Sequence, residues 1–90
     1  MPLYVISYDE HPSRNYEECH QLMFKWQARR LLESVWLAEL AGPAEAVRRI
    51  LQATFRGSGS IAVLELLPNA DWSIEARKEG MEWLHAHMNS

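Results

Sequence analysis

The 90-residue chain predicts an α+β domain in which strands and helices follow the order β-α-β-β-α-β, with both helices on one face of the sheet and a helical tail behind. Three observations lead there. Leu3 to Tyr8 and Ile61 to Leu67 are near-continuous apolar runs of strand length, as expected of strands buried on both faces. Two stretches between them repeat apolar residues at spacings of three and four, the period of an amphipathic helix. Between those helices, residues 29–40 return to an alternating, strand-like pattern.

The first strand places Tyr4, Ile6 and Tyr8 on one face and Leu3, Val5 and Ser7 on the other. It runs into Asp9 and a turn at Glu10-His11-Pro12. Asn15 then reads as a helix N-cap with Glu18 three residues on, and Tyr16, Cys19, Leu22, Met23 and Trp26 make the apolar stripe of a helix over 16–28. Phe24 falls off that stripe, where a partner would meet it. Residues 29–40 form one long strand or two short ones, with Trp36, Ala38 and Leu40 on one face and Val35, Leu37 and Glu39 on the other. Gly42-Pro43 breaks the strand and starts a second helix. Its inward stripe is Ala44, Val47, Ile50, Leu51 and Thr54. Gly57-Ser58-Gly59-Ser60 is a turn before the last core strand, which Pro68-Asn69 stops. Asp71 or Ser73 caps a final helix from about 74 to 88, weakened in the middle by Gly80.

This order suits a ferredoxin-like sheet with its core in residues 3–67 and a tail in 71–90, all within one domain. Two helices cover only one face of such a sheet. The strands are apolar on both, so the second face needs a cover: the tail or an identical subunit. With 48% apolar residues and four Trp in so short a chain, a homodimer is expected.

A net charge of −3 gives no general attraction to nucleic acid, so any such binding needs a local basic patch. The single Cys19 excludes a disulfide within the chain and fits a reducing compartment. No basic region precedes an apolar one at the start, and no apolar run approaches the ~20 residues of a membrane helix. A cytoplasmic protein without a membrane partner is therefore expected.

The sequence Tyr4-Val5-Ile6-Ser7-Tyr8-Asp9 resembles the opening strand of the small CRISPR-associated nuclease-fold subunits, the smaller partner of the spacer integrase, which reads as a hydrophobic run ending in Tyr-Asp. Ser34-Val35-Trp36 is similar to that family's Ser-Val-Phe motif, and the likeness covers residues 3–67. It extends to virulence-associated protein D, an RNA-cleaving toxin of the same fold. The resemblance implies a ferredoxin-like homodimer whose two copies of Asp9 approach the dimer axis and hold one divalent metal, Mg²⁺, for phosphodiester cleavage in RNA or DNA. In the integrase the same fold acts as a non-catalytic bridge. This chain differs from the pattern in having only Arg14 soon after Asp9, and no acidic residue in the turn before the last core strand.

Asp9 is thus the candidate catalytic and metal-binding residue, since a hard cation takes carboxylate oxygens and retains waters. As a structural residue it would instead solvate a strand end. Arg29, Arg30, Arg48 and Arg49 are the candidate nucleic-acid-binding residues, if a dimer gathers them; otherwise they are solvated faces. His11 beside the turn is placed to move protons, or is simply exposed. His20, His85 and His87 read as structural, Cys19 as core, Trp26 and Trp36 as core or interface, and Trp72 and Trp83 as anchors of the tail. No zinc spacing of Cys and His is present. Two functions follow: a metal-dependent endonuclease centred on Asp9, or a non-catalytic dimeric scaffold or interaction domain that binds nucleic acid or a protein.

Overall fold

The computed structural model describes residues 1–57 and 59–88. The elements are β1 (Leu3–Tyr8), α1 (Glu17–Lys25), β2 (Arg29–Leu32), β3 (Val35–Glu39), α2 (Ala44–Thr54), β4 (Ile61–Leu66) and α3 (Lys78–His87). The four strands form one sheet in the order β2-β3-β1-β4, and every neighbouring pair is antiparallel. The described residues thus make a small α+β fold with a four-stranded antiparallel sheet and three helices. Residues 29–40 are two short strands joined at Glu33-Ser34. The turn expected over 57–60 includes Ser58, which lies outside the described residues.

β1 is central and buried on both faces. Its pairing with β3 and β4 places Tyr4, Ile6, Tyr8, Trp36, Ala38 and Val63 on the face toward α1 and α2. There they pack with Cys19 and Met23 of α1 and Val47 and Leu51 of α2. Leu3, Val5 and Leu37 point the other way, as the alternation predicts. That second face carries its own core, in which Leu3, Leu31 and Leu37 pack against Trp83, Leu84 and Met88 of the tail. The tail therefore roofs the part of the sheet nearest β2 and β3, and Trp72 and Trp83 anchor it.

The tail differs from expectation in form. Residues 70–77 are extended, and α3 starts only at Lys78. Ala70, Trp72, Ile74 and Ala76 are half-buried against the second core, while Asp71, Ser73, Glu75 and Arg77 face solvent. This is a two-residue period, the mark of an extended segment lying on an apolar surface. Neither Asp71 nor Ser73 caps the helix; Arg77 occupies the cap position, and its N–H donates to the Leu31 carbonyl at 3.2 Å. The helical spacing read from Ile74 onward came from residues shared by both patterns.

Both sheet-covering helices end in the same way. After α1, Gln27 turns to φ 57°, its N–H donates to the Phe24 carbonyl, and the Ala28 N–H donates to the Met23 carbonyl at 2.9 Å. After α2, Arg56 turns to φ 56°, its N–H donates to Ala53, and the Gly57 N–H donates to Gln52. These paired bonds are Schellman motifs, with the buried Ala28–Met23 pair as the apolar contact of the first. The motif stops α1 at Lys25, short of the expected residue 28. At the other end of α1, Tyr16 takes the cap position, and the Asn15 side chain accepts from the Glu17 N–H at 2.9 Å. The expected reciprocal bond from Glu18 is replaced by an exposed ion pair of Glu18 with Arg56 at 3.8 Å. Ile50, expected to face inward, is 52% exposed, because Val47, Leu51 and Phe55 already fill the contact with the sheet.

Gly80 is a place of close approach. A Cβ there would lie 2.8 Å from Leu31 Cα and 2.9 Å from the Arg30 carbonyl oxygen, so α3 sits on β2 only because the side chain is absent. Gly in a helix interior ordinarily costs about 1 kcal/mol relative to Ala. Here the sign reverses: Gly80→Ala is expected to destabilise by roughly 1–3 kcal/mol, as overpacking against backbone does. Urea unfolding followed by Trp fluorescence measures it, and a rise in stability would show that α3 does not dock on β2 in this way.

Candidate functional site

The chemistry-bearing residues gather at the carboxyl end of β1. Two connections meet there: the loop from β1 to α1, residues 9–16, and the one from α2 to β4. Asp9 extends the ladder by one step, its N–H donating to the Ser60 carbonyl at 3.3 Å. Its own carbonyl accepts from the Tyr16 hydroxyl at 3.4 Å and from Arg14 at 3.5 Å. The Tyr16 oxygen in turn accepts the His11 N–H at 2.6 Å. Tyr16, at the end of the loop, thus ties the loop's first residues to its one hydroxyl. His11 faces outward, its Nδ1 bonded to the Ser13 hydroxyl at 2.8 Å. Asp9 itself is exposed, and among the described residues its carboxylate has no hydrogen bond or ion pair.

An open cleft of about 520 Å³ lies across this end, lined by His11, Ser13, Arg14, Asn15, Phe55 and Arg56, with Thr54 at its margin. Buried Phe55 forms its floor, and the Arg14 guanidinium lies 4.5 Å over that ring. Tyr8, Tyr16 and Phe55 form a close aromatic cluster beneath, with ring centroids 5.4–5.7 Å apart. Arg56 reaches the cleft because the left-handed residue of the α2 terminus projects away from the helix. Sequence reasoning did not group Arg14 with Arg56. The available signal was topological: in an antiparallel neighbour pair, the loop leaving β1 and the loop entering β4 lie at the same end of the sheet.

Within one subunit the four arginines expected to bind nucleic acid once a dimer gathers them lie in two separate places. Arg29 and Arg30 lie on β2, the edge strand farthest from β4, whereas Arg48 and Arg49 lie on α2, which covers the β4 side. Arg30 is stacked 4.5 Å over the Trp36 ring and donates to His20 Nε2 at 2.8 Å. Arg48 bonds Gln52, and Arg49 pairs with Glu45 at 2.8 Å on the exposed helix face. Partial burial, and then the Arg30 charge, hold the His20 imidazole below its usual value. His85 packs edge-on to Trp72, and His87 stacks on Trp83 at 4.0 Å, so both belong to the tail's anchorage.

For a divalent metal, one copy of the chain supplies a single carboxylate at Asp9. Among the described residues no group of three or more His, Cys, Asp or Glu side chains converges on one point. Within one subunit the protein ligand to such a metal is thus one carboxylate, with waters completing the shell, and the paired arrangement needs the second copy's Asp9. No helix among the described residues is long and apolar enough to cross a membrane. Comparisons with protein-family models, with curated proteins and with solved structures gave no match.

Beneath the cleft, Tyr8 and Cys19 are buried together. The Trp36 indole N–H donates to the Tyr8 hydroxyl at 3.1 Å. Burial pushes the Tyr8 phenol up, against that bond, and likewise pushes up the thiol of Cys19, which is fully buried in the core. In the unfolded chain the two ionise near 10.0 and 9.0. Above pH about 9 the unfolded state therefore loses these protons first, and stability falls as pH rises. The urea midpoint is expected to drop between pH about 8 and about 10, with Cys19 unreactive toward thiol reagents in the native state. A flat midpoint with fast native-state labelling would contradict this burial.

Proposed function

We propose that the chain is a non-catalytic, ferredoxin-like interaction domain that works as a homodimer joined edge to edge through β4. In support of the fold reading, the order β2-β3-β1-β4, taken from the other edge, is 4-1-3-2, and each helical connection crosses one antiparallel strand. The observation that carries the dimer is the free edge of β4. Leu64 is 63% exposed on the sheet face beyond the tail, beside half-covered Val5 and Leu66, and Leu67 next to it is 61% exposed. The strand carries no Lys or Pro to blunt its edge, only Glu65.

The register fixes which backbone groups are available. The Asp9–Ser60 bond sets Ser60, Ala62, Leu64 and Leu66 as the residues bonded to β1, so Ile61, Val63 and Glu65 direct their N–H and C=O outward. Antiparallel pairing with a second copy about Val63 sets Ile61 opposite Glu65 and Ala62 opposite Leu64. No like charges face each other, and Leu64 gains an apolar neighbour.

The metal-dependent endonuclease expectation drew on a second copy roofing the open face of the sheet and bringing two Asp9 side chains together. The protein's own tail takes that position over β2 and β3. Edge pairing about Val63 leaves the two copies of Asp9 at opposite ends of the joined strands, roughly 25 Å apart.

Light scattering is expected to give twice the chain mass at micromolar concentration. Leu64→Lys, which adds charge at an exposed position, and Val63→Pro, which removes an N–H that β1 does not use, should each give a folded monomer. A parent protein that is monomeric, or variants that remain dimers, would remove the edge interface.

A further inference from the structure

The cleft between residues 11–15 and the end of α2 has a composition unlike the rest of this acidic protein. Among the described residues none that lines it is acidic, and two are arginines. Its size lies in the range of small-ligand sites, about 300–1,000 Å³. Arg14 is held in place by its stacking on Phe55 and by the Asp9 carbonyl, so its side chain is ordered before any ligand arrives. Arg56 lines the same cleft, set there by the left-handed backbone of the helix terminus. Its contact with Glu18 is long, at 3.8 Å, and exposed, so an anion displaces it at little cost. Asn15 uses its carbonyl oxygen on the Glu17 N–H and keeps its amide donors. His11 uses Nδ1 on Ser13 and keeps Nε2. The acidic groups nearby are Asp9, Glu10, Glu17 and Glu18, all exposed to solvent outside the lining.

We infer that this cleft binds the terminal phosphate of a small phosphomonoester, such as a mononucleotide, between the guanidinium groups of Arg14 and Arg56, with His11 and Asn15 supplying further hydrogen bonds. A terminal phosphate is close to dianionic at neutral pH and offers three acceptor oxygens, which matches two guanidinium forks better than the single charge of an internal diester. The buried Phe55 floor presents no open ring face for a base, because Arg14 covers it. Recognition therefore rests on the phosphate and not on the group that carries it. The site stands apart from the β4 edge and does not need the dimer.

The test is a nuclear magnetic resonance titration of the full chain with inorganic phosphate, adenosine 5′-monophosphate and adenosine. Saturable shifts of the amides of residues 11–15 and 54–57 are expected with phosphate and the monophosphate, and none with adenosine. Arg56→Gly is the informative variant, because glycine suits the left-handed position and keeps the fold while the guanidinium is lost. It and Arg14→Gln should each weaken binding about tenfold or more. Arg49→Gln, on the exposed face of α2, should leave binding within about twofold of the parent. If Arg14→Gln loosens the loop, Arg56→Gly decides alone. Absent or non-saturable shifts with phosphate, equal shifts with adenosine, or unchanged affinity in a folded Arg56→Gly protein would each overturn the site.

Discussion

Burial of β1 on both faces is the constraint from which the rest of this structure follows. Tyr4, Ile6 and Tyr8 demand a cover on one side, Leu3 and Val5 on the other, and the chain has two sheet-crossing helices for one side only. The tail supplies the second cover. Its extended part lays Trp72 and Ile74 against the sheet, and α3 adds Trp83, Leu84 and Met88 above Leu3, Leu31 and Leu37. At about 25 cal/mol per Å² of apolar surface removed from water, a buried Trp or Leu contributes on the order of 2 kcal/mol, so such a tail is a large share of a small domain's stability. Gly80 marks how close that packing is, since the helix backbone rests directly on β2.

The cover is incomplete in a telling place. Over β2 and β3 the second face is closed, but toward β4 it opens, and Leu64 is left in water at the edge of the sheet. The uncovered apolar surface, which the sequence predicts for the whole face, thereby shrinks to the β4 side. The outward backbone groups of Ile61, Val63 and Glu65 lie there alongside the exposed leucines. The tail stabilises one half of the face, and the β4 edge is left uncovered.

The end of the sheet at Asp9 is organised by helix termination. There α2 stops through a left-handed residue that is not glycine, Arg56, just as α1 stops through Gln27 at the opposite end of the sheet. Using arginine at such a position sacrifices some backbone stability relative to glycine, and it places a guanidinium where two loops converge. Tyr16 holds the facing loop by its single hydroxyl, and Phe55 orders Arg14 across the gap. The result is a small basic cleft on an acidic chain.

From the residues alone, the alternation in β1 and β3 gave the correct face for each side chain, and the stripes of α1 and α2 gave Cys19, Met23, Val47 and Leu51 as core. These were legible because period and polarity are local properties of the chain. The alternation of Ala70, Trp72, Ile74 and Ala76 was equally present but lay under a competing helical spacing, and only contact with the sheet decided between the two. Arg29 and Arg30 were separated from Arg48 and Arg49 by the strand order, which no local pattern encodes. Arg14 and Arg56 were brought together for the same reason. What neighbours in sequence determine is which way a side chain points; which distant side chains meet depends on how strands are ordered and helices end, and that is set by burying both faces of β1 at once.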